Sequence, residues 1–175
     1  LVLLEGFVPR VIRAQERWDQ AGAEWTEVGR AITERGTSSC LVIVGSGLTE
    51  MNLIPAYLKD PVLHDYVSCR LGRMYLQGSH TRLSLPMLRE SWTSDVRRFY
   101  RHEIARACQG SNSPNSTRSA PSGVIWLITA TDTDLLRATA AEAESVLRGA
   151  GAVEIERIEG QTLTQVLYLC PNSPQ

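Results

Sequence analysis

The residue types best equipped for chemistry here are arginine, histidine, cysteine and aspartate, and spacing decides what each can do. Arg89, Arg97, Arg98 and Arg101 fall in a segment with helical spacing, and Arg89, Arg97 and Arg101, eight and four residues apart, share roughly one face. A guanidinium face of that kind suits phosphates, on nucleic acid or on anionic lipid; the plainer reading is a solvated charged face. These four are the candidate partner-binding residues. His64, His80 and His102 have no recognisable partner: His80 sits in a polar Gly-Ser-His-Thr turn, and His102 lies among arginines. With no Ser/His/Asp or Cys/His order in view, no catalytic residue is assigned.

Cys40, Cys69, Cys108 and Cys170 are far apart, form no C-x-x-C pair and have no histidine at ligand spacing. They read as reduced, cytosolic thiols rather than metal ligands. Thr131-Asp132-Thr133-Asp134 supplies helix caps, and Asp132 and Asp134 stand where the first turn of a helix favours negative charge, so capping is preferred to metal binding. Gly45-x-Gly47 after an apolar run invites a dinucleotide-binding reading, but the third glycine position holds Glu50, whose carboxylate repels phosphate. Lys59, the one lysine among eighteen basic residues, lies outside any G-x-x-x-x-G-K-[ST] context. No cofactor, metal or nucleotide site is expected, and the chain is not expected to be an enzyme by itself.

The elements that must position these residues follow from periodicity. Leu1–Val8 is apolar enough for a strand, and Val11, Ala14, Trp18, Ala21, Trp25, Val28 and Ile32 recur at steps of three and four, a helix ended by Gly36. That seam suits packing on a sheet, with a short coiled coil as the alternative. Leu41–Val44 reads as a buried strand, and Thr49–Leu58 as a helix interrupted at Pro55 and stopped by Asp60-Pro61. Leu85, Leu88, Trp92, Val96, Phe99 and Ile104 predict a helix running to about Ala107, and Gln109–Gly123, rich in Ser, Asn, Pro and Gly, reads as a surface loop. Beyond it, Val124–Ala130 predicts a strand, and Leu136, Ala140, Ala143 and Leu147 mark a helix ended by Gly149 and Gly151. Val153–Ile158 predicts another strand, and Thr162 caps a last short helix with Leu163, Val166 and Leu167 inward, closed by Pro171.

The fold class expected is α+β: a two-layer sheet with helices packed on one face, built from two pseudo-repeated strand-helix-strand halves. Residues 1–108 form the first half with a helical insertion, 109–123 the loop and 124–171 the second half, together one compact domain. A length of 175 residues, 43 % apolar and 21 % charged, suits a single core. The longest aliphatic or aromatic run, Val124–Ile128, is far too short to cross a bilayer. Leu1–Leu4 lack an initiator Met and a basic leader and are cut short by Glu5, so the chain reads as a fragment without a secretory signal. The net charge of −1 conceals a division: residues 70–106 hold eight arginines against Glu90, Asp95 and Glu103, and residues 132–159 hold seven acids against three arginines. Such asymmetry bears on partners or self-docking and not on fold.

The strand VIWLITA, the Ala-, Glu- and Leu-rich helix after it, the Gly-Ala-Gly break and VEIERIEGQTLTQVLYLCP together resemble the end of the N-terminal domain of type IV secretion and conjugative-transfer ATPases. In that family a strand leads through a glycine-containing turn into a short Leu-rich helix closing at a proline; the matching positions are Gly160, Leu163, Leu167 and Pro171. A strand, a long helix, CLVIV and a helix ending PAYL match the family's order in the first half, and residues 60–120 are unmatched. The resemblance implies a non-catalytic docking module that positions the motor at the cytoplasmic face of the inner membrane. Its partners would be inner-membrane secretion-system subunits and neighbouring copies of itself, with the anionic membrane surface as a further contact. The family's P-loop lies beyond this domain, so no family site residue carries over. Two rivals stand beside this reading. One is a nucleic-acid-binding module using the Arg89–Arg101 face, marked by salt-dependent affinity; the other is a small enzyme whose site assembles only in three dimensions.

Overall fold

A computed structural model describes residues 19–35, 40–48, 54–60, 80–86, 88–109, 123–130 and 133–170. In chain order the elements are α1 (19–34), β1 (Leu41–Leu48), the single turn α2 (Ile54–Tyr57), β2 (Thr81–Pro86), a 3₁₀ turn at Arg89–Ser91, α3 (Ser94–Gln109), β3 (Val124–Ala130), α4 (Asp134–Gly149), β4 (Val153–Glu159) and β5 (Leu163–Leu169). A strand that is apolar at successive positions needs cover on both sides, and β1 and β3 meet that description. They lie side by side and parallel, Leu41 opposite Ile125 and Val44 opposite Ile128. β2 runs parallel along the far side of β1, while β5 is antiparallel to β3 and β4 antiparallel to β5, giving the order β2-β1-β3-β5-β4. Because β1 pairs directly with β3, both halves of the chain contribute to one sheet.

The two faces carry separate cores. On one, Leu41, Ile43, Leu83, Leu85, Ile125, Leu127, Val166 and Tyr168 pack against Val96, Tyr100 and Ile104 of α3 and Ala143, Val146 and Leu147 of α4. On the other, Val42, Val44, Trp126, Ile128 and Leu167 receive Trp25, Val28 and Ile32 of α1. The α+β class is as expected, but helices cover both faces where the sequence predicted one. The reason is the alternation itself, since Val42 and Trp126 point away from Ile43 and Ile125 and would otherwise face water.

Other expectations change as well. The segment Leu163–Leu169 is a strand, not a helix, because its apolar residues serve both cores: Leu163 and Leu167 face α1, and Val166 and Tyr168 face α4. Leu85 belongs to β2, and the helix after it starts only at Ser94. β2 is held from within. The Ser84 N–H donates to the Tyr57 hydroxyl at 2.7 Å, and the Tyr100 hydroxyl donates to the Ser84 carbonyl. Burial raises the pKa of both phenols, so both hydroxyls remain protonated, Tyr57 accepting and Tyr100 donating.

Capping of α4 follows the sequence. Thr133 Oγ1 accepts the Leu136 N–H at 3.3 Å, and the end closes at Gly151, whose φ of 84° lets Gly151 and Ala152 return hydrogen bonds to Arg148 and Leu147. Not all the cysteines are reduced thiols: Cys108 near the end of α3 is disulfide-bonded to Cys170 after β5, with Cα atoms 5.2 Å apart. Cysteine usage therefore no longer argues for the cytoplasm, because disulfides persist where conditions are oxidising. Among the described residues no helix is long and apolar enough to cross a membrane. The predicted strand at Leu1–Val8, the first turns of the long helix, the loop at 110–122, Cys69 and His64 lie outside the described residues.

Candidate interaction surface

The four candidate arginines separate in space. Arg97 is half-buried, at 35 % exposure, and turns inward: its guanidinium donates to Glu142 of α4 at 2.8 and 3.3 Å and to the Trp92 carbonyl. Arg89 approaches the same carboxylate, at 3.9 Å, from the 3₁₀ turn. Two of the four thus join the basic segment to the acidic half of the chain. Arg98 stays exposed with Asp95 at 3.4 Å, and Arg101 is exposed with no ion pair among the described residues. His102 and Arg106 share Glu103. What remains of the basic face is Arg98 and Arg101, diluted by acids on the same helix.

A different surface stands out in the structure. Among the described residues β4 is an edge strand of the sheet and is exposed along nearly its whole length, including Val153 (52 %), Ile155 (54 %) and Ile158 (39 %). Leu169, opposite Val153 on β5, extends the patch. Apolar residues rarely accumulate on an open strand edge, because an unpaired edge is a template for further pairing.

A bulge organises the charges of β4. The register with β5 slips between Glu154, opposite Tyr168, and Glu156, opposite Leu167. Residues three apart normally point to opposite faces, but the extra residue brings Glu154 and Arg157 to the same one. Arg157 there donates to Glu154 at 2.8 and 2.9 Å and to Glu144 of α4 at 2.9 Å. The hydrogen bond from Arg157 holds the Glu154 carboxyl below the ordinary range. Under this network lies Tyr168, its hydroxyl pKa pushed up to about 12, chiefly by burial and further by Glu144 and Glu154. On the other face Glu156 pairs with Arg35 at the end of α1, whose guanidinium stands 5.4 Å over the Trp126 ring.

The far end of β4 is fixed by a carboxylate from α1. Glu24 accepts the backbone N–H groups of Gln161 (3.0 Å), Thr162 (3.0 Å) and Leu163 (2.8 Å), the Thr162 hydroxyl (2.9 Å) and the Gln20 amide (2.9 Å). Successive amides turned onto one anion form a nest. Burial alone would raise the pKa of Glu24, but these hydrogen bonds outweigh it and hold the carboxyl below its usual value. The β4–β5 hairpin is thereby clasped to α1, so β4 is presented on a rigid frame.

The remaining chemistry-bearing residues among those described lie apart from one another except in pairs. Cys40 Sγ lies 3.2 Å from His80 Nδ1, a contact across forty residues that the sequence did not reveal, and both side chains are buried at the adjoining starts of β1 and β2. Asp134 pairs with Arg137 in the first turn of α4, while Asp132 lies outside the described residues. Gly45 is opposite Thr129 within the sheet, where an added Cβ would fall 3.1 Å from the threonine methyl, so close strand packing occupies it. Among the described residues no three His, Cys, Asp or Glu side chains converge as a metal site. No protein-family model matches the chain, and no curated protein matches it.

Proposed function

We propose that this chain is a non-catalytic interaction domain whose docking edge is β4. The observation that carries the reading is the open edge itself: three large apolar side chains exposed on a strand braced by α1 on one face and α4 on the other. Edge strands bind by adding a strand, the main chain supplying affinity and alternate side chains supplying selectivity.

The setting we propose is the N-terminal region of a conjugative-transfer ATPase, with the domain positioning a motor on inner-membrane subunits. It rests on the resemblance carried by VIWLITA and the helix after it. The strand at Leu163–Leu169 weakens that resemblance, since the family pattern has a helix there. A second reading, nucleic-acid binding through α3, keeps only Arg98, beside Asp95, and Arg101 of the four as exposed cations outside the Glu142 pairing.

Co-sedimentation tests the reading. Membranes carrying the secretion-system subunits are expected to pellet the purified chain and to leave an Ile155→Lys/Ile158→Lys variant in the supernatant. Equal pelleting of the two proteins would overturn docking by β4. Salt-sensitive DNA retention lost on Arg98→Gln/Arg101→Gln would instead favour the second reading.

A further inference from the structure

We infer that β4 pairs with β4 of a second copy of this chain, antiparallel about a two-fold axis between Ile155 and Glu156, joining two sheets into one. The inference rests on β4 being a docking edge and names a second copy as an occupant that gives way reversibly to the membrane partner. In this register Glu154 faces Arg157 of the second copy, and Val153 faces Ile158, each pair occurring twice by symmetry. Directly opposed residues must lie on the same face of the joined sheet. They do so only because of the bulge: Glu154 and Arg157 both lie on the α4 face, opposite Tyr168 and Val166, while Val153 and Ile158 lie on the α1 face, opposite Leu169 and Gln165.

Other registers fail on the same observations. An axis through Ile155 or through Glu156 sets residues of opposite faces against each other. Moving the axis one residue along sets Glu154 against Glu159, or Val153 against Glu156. An axis through Ile158 also sets Arg157 against Glu159 on one face, but it pairs only residues 157–159 of the strand, whereas the axis between Ile155 and Glu156 pairs residues 153–158, with Ile155 opposite Glu156 at its centre. A bulge and charged residues are also the devices by which an edge resists pairing. Such protection calls for charges that repel a copy, whereas Glu154 and Arg157 attract one. The intramolecular Glu154–Arg157 pair lies on the face where the second copy would bring its own, so association would build a four-membered network of alternating sign.

Sedimentation velocity on the full chain tests this. A single added strand pair buries less than about 1,200 Å², so a weak, reversible monomer–dimer equilibrium is expected between roughly 10 µM and 1 mM, loosened by salt. Glu154→Arg alone and Arg157→Glu alone are each expected to be monomeric, since each sets like charges across the axis, and an equimolar mixture of the two is expected to form the heterodimer. Circular dichroism confirms that each variant is folded, and Val153→Ser/Ile158→Ser, which removes the apolar pair and adds no charge, is expected to weaken the dimer. A wild type that stays monomeric up to about 1 mM, or single reversals that dimerise as well as wild type, would overturn the self-pairing. Membrane co-sedimentation reports separately on docking: a monomer that still pellets with membranes sinks this inference alone.

Discussion

Glu24 and Thr162 lie 138 residues apart in sequence, yet the Glu24 carboxylate accepts both the backbone N–H and the hydroxyl of Thr162, at 3.0 and 2.9 Å. Because the same carboxylate also receives Gln161 and Leu163, one side chain fixes the turn that starts β5 and ends β4. Glu24→Gln should lower stability by about 1.5–3 kcal/mol, the range for hydrogen bonds to a charged group, since an amide presents one acceptor and two unwanted donors to the nest. The pH dependence has a definite sign. The folded pKa of Glu24 is below its unfolded value, so its contribution is complete above the ordinary carboxylate range and is lost as pH falls through the folded pKa. Urea midpoints from pH 7 down to pH 3 should converge for wild type and variant; a constant gap would refute this.

Gly160 should prove intolerant of even a methyl group. A Cβ there would lie 2.5 Å from Glu24 Oε2 and 2.9 Å from the Leu163 carbonyl oxygen. Gly160→Ala is expected to cost about 1–3 kcal/mol, and less in a Glu24→Ala background, where one of the two obstacles is gone. Thermal melts of the four proteins in the cycle would show the coupling, and strict additivity would count against it.

The Cys108–Cys170 bond ties the end of α3 to the end of β5 across a separation of 62 residues. Closing a loop of that order restrains the unfolded chain, so reduction should lower stability by about 2–4 kcal/mol. A reductant should shift the denaturation midpoint of wild type and leave Cys108→Ser/Cys170→Ser unmoved. An unshifted wild type after complete reduction would contradict the bond's structural role.

Arg97 and Arg101 should behave differently although both were candidates for one binding face. Arg97→Ala leaves the half-buried Glu142 with only the distant Arg89 and removes the bond to the Trp92 carbonyl, and should cost about 1–3 kcal/mol; Arg101→Ala should change stability by no more than about 0.5 kcal/mol. Equal effects in chemical denaturation would show that α3 presents the two alike.

Much of this fold is legible in the residues. The continuous apolar run of β3, the Trp25-Val28-Ile32 seam and the caps of α4 each follow from spacing. β5 misleads because a strand buried on both faces has no period of two, and Leu163, Val166 and Leu167 then fit a helical face. β2 was hidden for a related reason, Leu85 falling in phase with the helix that follows. The disulfide and the Cys40–His80 contact depend on which strands become neighbours, which local spacing does not encode. The β4 edge is the instructive case: VEIERIE reads as an ordinary amphipathic strand, and neither its place at the sheet's edge nor its bulge is visible until the order of strands is known. The one signal available was its charge, four ionisable residues of both signs among seven, unusual for a strand covered on either side.

Hydrogen exchange along β4 tests the central claim most directly. The amides of Val153–Glu159 are followed in the full chain, alone in dilute solution and then with membranes carrying the proposed partner subunits. Docking by strand addition predicts slowed exchange in β4, concentrated at Ile155–Ile158, with the amides of α3 around Arg98 and Arg101 unchanged. Exchange in β4 that is the same in both conditions, with protection appearing in α3 or nowhere, would contradict it.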